Sequence, residues 1–236
     1  MKNLDYSNLQ PLSKNTDENK LVDANKSVDI ILGILDYESN FEESMRNFNC
    51  YDASSILIAD NDWLKRRNYS SCKDIFYEGS ILRVDFGKAY IKESAFIHYS
   101  LCIRKYQSKA LVIPMSSRCD KKDNAYHPSD NISGERRLRL CKLEEGFLST
   151  GILYMNDAKF ISPGRIIKSY PQISLEIFEE IKKHLLSIIF PLFDKDYISL
   201  TNDFDSLLTE HNELKSKYVN LIHEHEKLKK MIDNQV

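Results

Sequence analysis

The sequence is poor in the residues that punctuate and staple a chain. Its 236 residues include 7 glycines and 6 prolines, too few for a loop-rich scaffold, and this favours long helices. The five cysteines, Cys50, Cys72, Cys102, Cys119 and Cys141, are odd in number and contain no C-x-x-C pair. That argues against a disulfide framework and against a zinc site, and suits a reducing compartment. The formal net charge is −2, so no global cationic field draws the chain to nucleic acid or acidic membrane, and any such contact must rest on a local patch. The apolar run "HLLSIIFPLF" is too short to span a bilayer and contains a proline. The opening "MKNLDYSNLQPLSKNTDENK" is polar and carries acids, unlike a secretory signal. A soluble, cytoplasmic protein is the expectation. H-E-x-x-H, P-loop, G-x-S-x-G and dinucleotide-binding fingerprints are all missing, and the chemistries they carry lack support.

What is present divides the chain into four parts. Residues 1–26 are rich in Asn, Asp, Ser and Lys and read as a loosely ordered leader. Residues 27–75 turn helical: Val28, Ile31, Ile34, Leu35, Met45 and Phe48 recur at three- and four-residue steps after Ser27, a suitable N-cap. After "CYDASS", Asp52 is expected to cap a second helix carrying Ile56, Ala59 and Trp63. Residues 76–193 change period. "GSILRVDFG" alternates, with Leu82, Val84 and Phe86 on one side and Ile81, Arg83 and Asp85 on the other. "FIHYSLCIR", "ALVIPMS", "LRLCKL", "GILYM" and "DAKFI" are further short strands, separated after Ser117 by a long polar loop. Strands this short and close, flanked by helices, predict an α+β chain built on a small antiparallel barrel or a pair of curled sheets. Ser174 then caps a helix whose stripe is Ile177, Phe178, Ile181, Leu185 and Ile188, with Ile173 stapled onto Phe178, and Pro191 ends or kinks it.

Residues 196–236 hold the clearest period. Leu200, Leu207, Leu214, Leu221 and Leu228 are spaced by seven, and Phe204, His211, Tyr218, His225 and Ile232 follow each by four. This is an a/d heptad seam with leucine at d, and it predicts a coiled coil that self-associates through residues 200–232. A long amphipathic helix folded back on its own domain is the alternative, although such helices usually carry a wider apolar face. His211 and His225 at a positions weaken the seam and favour one register, and charging them at low pH would weaken it further.

Residues 76–190 carry an ordered set of motifs: "EGSILRVDFG", then "KESAFIHYSLCI", "ALVIPMSS", "GILYMNDAKFISPGRI" and "ISLEIFEEIKKHLLSII". In order and spacing they resemble the PemK/MazF family of bacterial toxin endoribonucleases, in a longer branch with N-terminal helices. Glu93 and His98 keep the spacing of that family's Glu and Arg/His. Ser116 and Ser117 match its Thr/Ser pair, and Lys159 its late Arg/Lys. Ala95 and Phe96 stand where the family has a glycine pair, which implies a stiffer and bulkier loop before His98. The polar loop and the heptad tail lie outside the usual compact toxin.

The resemblance implies a small SH3-like antiparallel barrel, usually dimeric. It implies cleavage of single-stranded RNA by 2′-hydroxyl attack, without metal or other cofactor, in a toxin–antitoxin or phage-defence role, with an antitoxin protein as a partner. His98, Ser116 and Lys159 would be catalytic: a base or acid, a donor to phosphate oxygen, and a cation for the developing charge. Glu93, Ser117, Arg136, Arg137 and Arg165 would contact substrate. Each has a plainer reading. His98 is also compatible with a hydrogen-bonded histidine at a barrel mouth, Ser116 with a turn, Lys159 with a surface strand, and the run Arg136, Arg137 and Arg139 with a solvated face. A catalytically silent RNA- or protein-binding module, assembled by the coiled coil, is the competing function.

Overall fold

The computed structural model describes residues 4, 6–90, 92–117 and 119–233. The outermost parts of the expected leader and coiled coil, residues 1–3, 5 and 234–236, lie outside the described residues, as do the side chains of Leu228 and Ile232 in the seam. The chain forms two compact units: Met1–Tyr69 with Asp85–Ile97, and Ser70–Val84 with His98–Val236. The class is α+β, with N-terminal helices, a mixed eight-stranded sheet and a long C-terminal helix.

The first unit is helical. The stretch read as a loose leader contains α1 (Tyr6–Leu12) and α2 (Asp17–Leu21), neither with a buried residue. Thr16 caps α2 by accepting from the Asn19 N–H. Leu9 of α1 fills the space beside Gly33, 3.1 Å from where a Cβ would stand. Ser27 caps α3 (Val28–Met45) as expected, accepting from Ile30 N–H at 3.4 Å. The cap of α4 (Cys50–Arg66) is Asn49 and not Asp52. Asn49 Oδ1 accepts from Asp52 N–H at 2.9 Å, and Asn49 Nδ2 donates back to the Asp52 carboxylate at 2.7 Å. Asp52 keeps a stabilising place in the first turn, where its charge meets the positive end of the helix dipole.

The sheet comprises β1 (Ser80–Asp85), β2 (Ile97–Lys105), β3 (Ala110–Ser116), β4 (Ala125–Tyr126), β5 (Glu135–Cys141), β6 (Gly151–Tyr154), β7 (Lys159–Ile161) and β8 (Ile166–Gln172). Neighbours run β4-β5-β6-β3-β2-β1-β8, with β7 added beside β3. β1 with β8, β2 with β3, β3 with β6 and β7, and β5 with β6 pair antiparallel, and β4 with β5 parallel. β3 is the hinge of the pattern. One edge pairs with β2, and the other is shared by β6 at Met115 and Ser116 and by β7 at Ala110 to Val112. The sequence signals did not reveal β8, because Lys168 and Pro171 interrupt its alternation. It is a terminal strand of the path, a position where proline is tolerated.

Both sheet faces are covered. On one, α5 (Leu175–Ile189) lays Phe178, Ile181 and Leu185 onto Ile81, Leu101, Ile113, Met115 and Leu153. Ser174 accepts from Ile177 N–H, and Ile173 joins Phe178 in the core, so the expected cap and staple both form. On the other, Leu138, Ile152 and Ala125 pack with Leu140 and Tyr154 beneath the loop that carries β4. That loop closes tightly only because position 134 is glycine: a Cβ there would stand 2.6 Å from the Ala125 backbone. β1 is therefore buried on both sides, with Ile81, Leu82 and Val84 all inside and Arg83 exposed. Pro191 opens α6 (Pro191–Asp233), a first-turn position where its missing N–H costs nothing.

A buried ionic cluster ties α5 to the sheet. Arg139, read as part of a solvated basic run, is fully buried. Its guanidinium forks onto Glu145, with Nη1–Oε2 and Nη2–Oε1 both at 2.6 Å, and Nη2 also reaches Glu180 of α5 at 2.7 Å. Burial alone would raise the Glu145 carboxyl, but the bonds and charge of Arg139 outweigh it and hold the group below the usual carboxylate range. Nearby His127 accepts at Nδ1 from the Ser129 and Asp130 N–H groups, so it anchors a turn. His184 of α5 is 4% exposed, edge-on to the Tyr126 ring, with neither ring nitrogen hydrogen-bonded. Burial, aided by the charges of Arg136 and Arg139, pushes its pKa from 6.5 to about 4.

Two stability results follow. Arg139→Ala strands the buried Glu145 carboxylate, and denaturant unfolding is expected to show a loss of about 3–5 kcal/mol. The unfolded chain takes up a proton on His184 near pH 6.5 that the folded chain refuses until about 4. Stability is therefore lost as pH falls through that interval, by about 3 kcal/mol for this group. His184→Leu should flatten the pH dependence of unfolding between 7 and 4, and an unchanged slope would show that the imidazole is not the cause.

Candidate active site

The β2–β3 register decides which expected site residues meet. Tyr99 pairs with Met115, and Ser100 with Pro114. The next step of the same register sets His98 opposite Ser116, about 5 Å apart between Cα atoms. Leu101 and Ile103 of β2 and Ile113 and Met115 of β3 belong to the α5 side of the sheet. By alternation His98 and Ser116 face the other side, each partly buried. Ser116 also pairs with Ile152, and Ile152 with Leu140. One row thus runs His98, Ser116, Ile152, Leu140 from an open rim into the packed face. Gly151 permits the close approach: a Cβ there would lie 2.9 Å from the Ser116 carbonyl oxygen.

The same face supplies a cation that the sequence motifs did not single out for catalysis. Tyr154 lies two residues beyond Ile152 on β6, diagonal to Ser116 at about 7–8 Å. The Lys121 ammonium stands over the Tyr154 ring, 5.3 Å from its centroid. Lys121 ends the 3-10 turn Cys119–Lys121, which follows directly on Ser116 and exposed Ser117. By this alternation the His98 imidazole and the Ser116 hydroxyl lie on the face where the Lys121 ammonium stands over Tyr154.

The other expected residues are placed differently. Lys159 pairs with Val112, four residues before Ser116 on β3 and so about 13 Å along the strand. Its amine is 2.8 Å from Asp157. Arg165 closes the turn Pro163–Arg165 ahead of β8, which lies two strands from β2 in the sheet order. Arg136 donates to Ser187 of α5 at 3.0 Å and lies over the Tyr126 ring, and Arg137 pairs with Glu135. Glu93 is exposed and belongs to the first unit, with its N–H bonded to the Tyr90 carbonyl at 3.1 Å. In that unit Lys92 has φ 78° and Phe96 has φ 60°. The Phe96 backbone holds a left-handed conformation of the kind that glycine adopts most readily. Bonds hold it there: Phe96 N–H donates to Gly87 O at 2.6 Å, and Phe96 O accepts from Phe86 N–H at 2.8 Å. Among the described residues, no cluster of three or more His, Cys, Asp or Glu is arranged to hold a metal ion, and no helix is long and apolar enough to cross a membrane.

No protein-family model matches the chain, and no curated protein matches it. One solved structure that is similar is the crystal structure of MazF (Form-I) from Deinococcus radiodurans. The similarity covers 50% of this chain and 98% of that chain, at TM-score 0.37 and 11% sequence identity.

A second cationic and aromatic cluster sits on the α5 side of the sheet. Arg83 and Lys168 pair directly across β1 and β8, and neither makes an ion pair among the described residues. Tyr99 meets Tyr170 edge-on at 5.7 Å, and the Lys168 ammonium lies over the Tyr170 ring at 5.1 Å. A side-chain hydrogen bond to Tyr170, with burial, raises the Tyr99 phenol's pKa, while Arg83 and Lys168 pull it down. Like charges placed opposite each other on adjacent strands are destabilising unless an anion joins them.

The register is open to a direct check. His98→Cys with Ser116→Cys should form an internal disulfide under mild oxidation, located by peptide mass mapping. Ser116→Cys with Lys159→Cys should not, because about 13 Å is beyond the Cα span a disulfide bridges.

Proposed function

We propose that this chain is an endoribonuclease of the PemK/MazF type, cleaving single-stranded RNA by attack of a 2′-hydroxyl on the adjacent phosphorus without metal. The cross-strand pairing of His98 with Ser116 carries the reading. His98 takes the 2′ proton, a role to which an imidazole is suited. The Ser116 hydroxyl donates to a non-bridging oxygen as charge gathers there, and Lys121 offsets the added charge of the phosphorane. The new bond joins O2′ to phosphorus and the P–O5′ bond breaks. The 5′-oxygen takes a proton from water, leaving a 5′-hydroxyl and a 2′,3′-cyclic phosphate. Ser117 and Arg165 contact flanking phosphates. The setting is a toxin–antitoxin or phage-defence role.

The second reading, a silent RNA- or protein-binding module, is favoured by one set of contacts. Lys159, Arg136 and Arg137 are engaged by Asp157, Ser187 and Glu135. Mapping 5′-hydroxyl RNA ends in bacteria expressing the chain separates the two. Wild type should create new ends, and His98→Ala should lower them about 100-fold or more. Lys121→Ala should cost about tenfold, whereas Lys159→Ala should stay within about twofold, since its amine is paired with Asp157 and its backbone lies about 13 Å along β3 from Ser116. An absence of new ends from wild type would give the site to the binding-module reading.

A further inference from the structure

We infer that α6 pairs with the α6 of a second copy of this chain, parallel and in register, as a two-stranded coiled coil. The inference does not depend on the nuclease reading. The helix runs unbroken over 43 residues from Pro191 to Asp233, a length of about 65 Å. Leu200, Leu207, Leu214 and Leu221 are 64–68% exposed, and Phe204 and Tyr218 in the complementary column are each 64% exposed. A continuous seam of large apolar side chains is thus left facing water. Leu208 and Ile222 widen it on one flank.

The charges beside the seam identify the occupant. In a parallel pair, the residue before an a position meets the residue after the next d position of the other helix. That rule sets Glu210 against Lys215 of the second copy, twice by symmetry. The remaining pairs of described side chains are Asp196 with Thr201, Asp203 with Leu208, and Lys217 with Ile222. None joins like charges. A fully overlapped antiparallel pair would bring Asp203 close to Glu224 of the other copy twice, a repulsion that would offset the Glu210–Lys217 pairs of the same alignment. The a column supplies the register. In the parallel arrangement His211 and His225 each meet their own counterpart, and a slip of one heptad would set His211 against Phe204 or Tyr218. Polar residues at single a positions select alignment at some cost in stability. A two-fold pairing of identical surfaces is also the commonest form of assembly.

Size-exclusion chromatography with light scattering on the full chain at micromolar concentration tests the pairing. Wild type should have twice the mass of one chain. Leu207→Glu with Leu214→Glu should have the mass of one chain while keeping the melting transition of the sheet domain. Glu210→Lys should raise the dissociation constant about tenfold, and adding Lys215→Glu should restore it. For orientation, Leu200→Cys should give a disulfide between residues 200 of two copies, found by mass mapping after mild oxidation. A wild type with the mass of one chain overturns the proposal, as does a mass above two chains or a dimer indifferent to the leucine substitutions. A dimer that forms no 200–200 link overturns the parallel arrangement. RNA cleavage is scored separately, so loss of activity with an intact dimer counts against the nuclease reading alone.

Discussion

The sheet half of this protein is organised around one guanidinium that never sees water. Arg139 bonds to Glu145 from the turn after its own strand and to Glu180 from α5, so it joins strand, turn and helix at one point. The geometry is a bidentate fork with a third oxygen on its flank, the arrangement in which a buried ion pair recovers most of its desolvation cost. The position matters as much as the strength. Arg139 pairs with Leu153, Leu153 with Met115, and Met115 with Tyr99. That row adjoins the one that holds His98 and Ser116. Clamping α5 onto it fixes the backbone from which the candidate site projects, while the site's side chains face the other way.

Much of the architecture could be read from alternation and caps. β1, β2, β3, β6 and β7 fall on the expected runs, and Ser27 and Ser174 cap as their hydroxyls suggest. The failures have physical causes. Arg139 could not be separated from Arg136 and Arg137, because a basic run looks the same whether its members face water or carboxylates. The two carboxylates that decide it lie 6 and 41 residues away. Asn49 displaced Asp52 as a cap because both are good caps and the helix began three residues earlier than Asp52 would require. For the site, the motif order brought out His98 and Ser116, and they stand one step beyond the Tyr99–Met115 pair of β2 and β3. Lys121 stayed in the background because its value comes from standing over Tyr154, 33 residues on, a relation that no local pattern records.

The segment before His98 carries backbone strain that hydrogen bonds hold in place. Phenylalanine at φ 60° costs of order 1–3 kcal/mol relative to a relaxed conformation. The chain accepts that cost under two backbone hydrogen bonds to Phe86 and Gly87. The left-handed turn is thus held by these backbone bonds with a phenylalanine at its bend.

Charge then sets what such a site can bind alone. The chain is net anionic, and several of its cations are consumed internally: Lys159 by Asp157, Arg137 by Glu135, Arg139 by Glu145 and Glu180. A strand of RNA is held chiefly through its phosphates, and each neutralised phosphate contributes a salt-dependent increment. Lys121 on one face and the Arg83–Lys168 pair on the other make a short inventory for one copy. Two copies joined along α6 would hold two such inventories near one strand. The second engagement would then be intramolecular, which raises apparent affinity without any new contact. If α6 pairs as proposed, proximity of the two copies would supply what the surface of one copy lacks in charge.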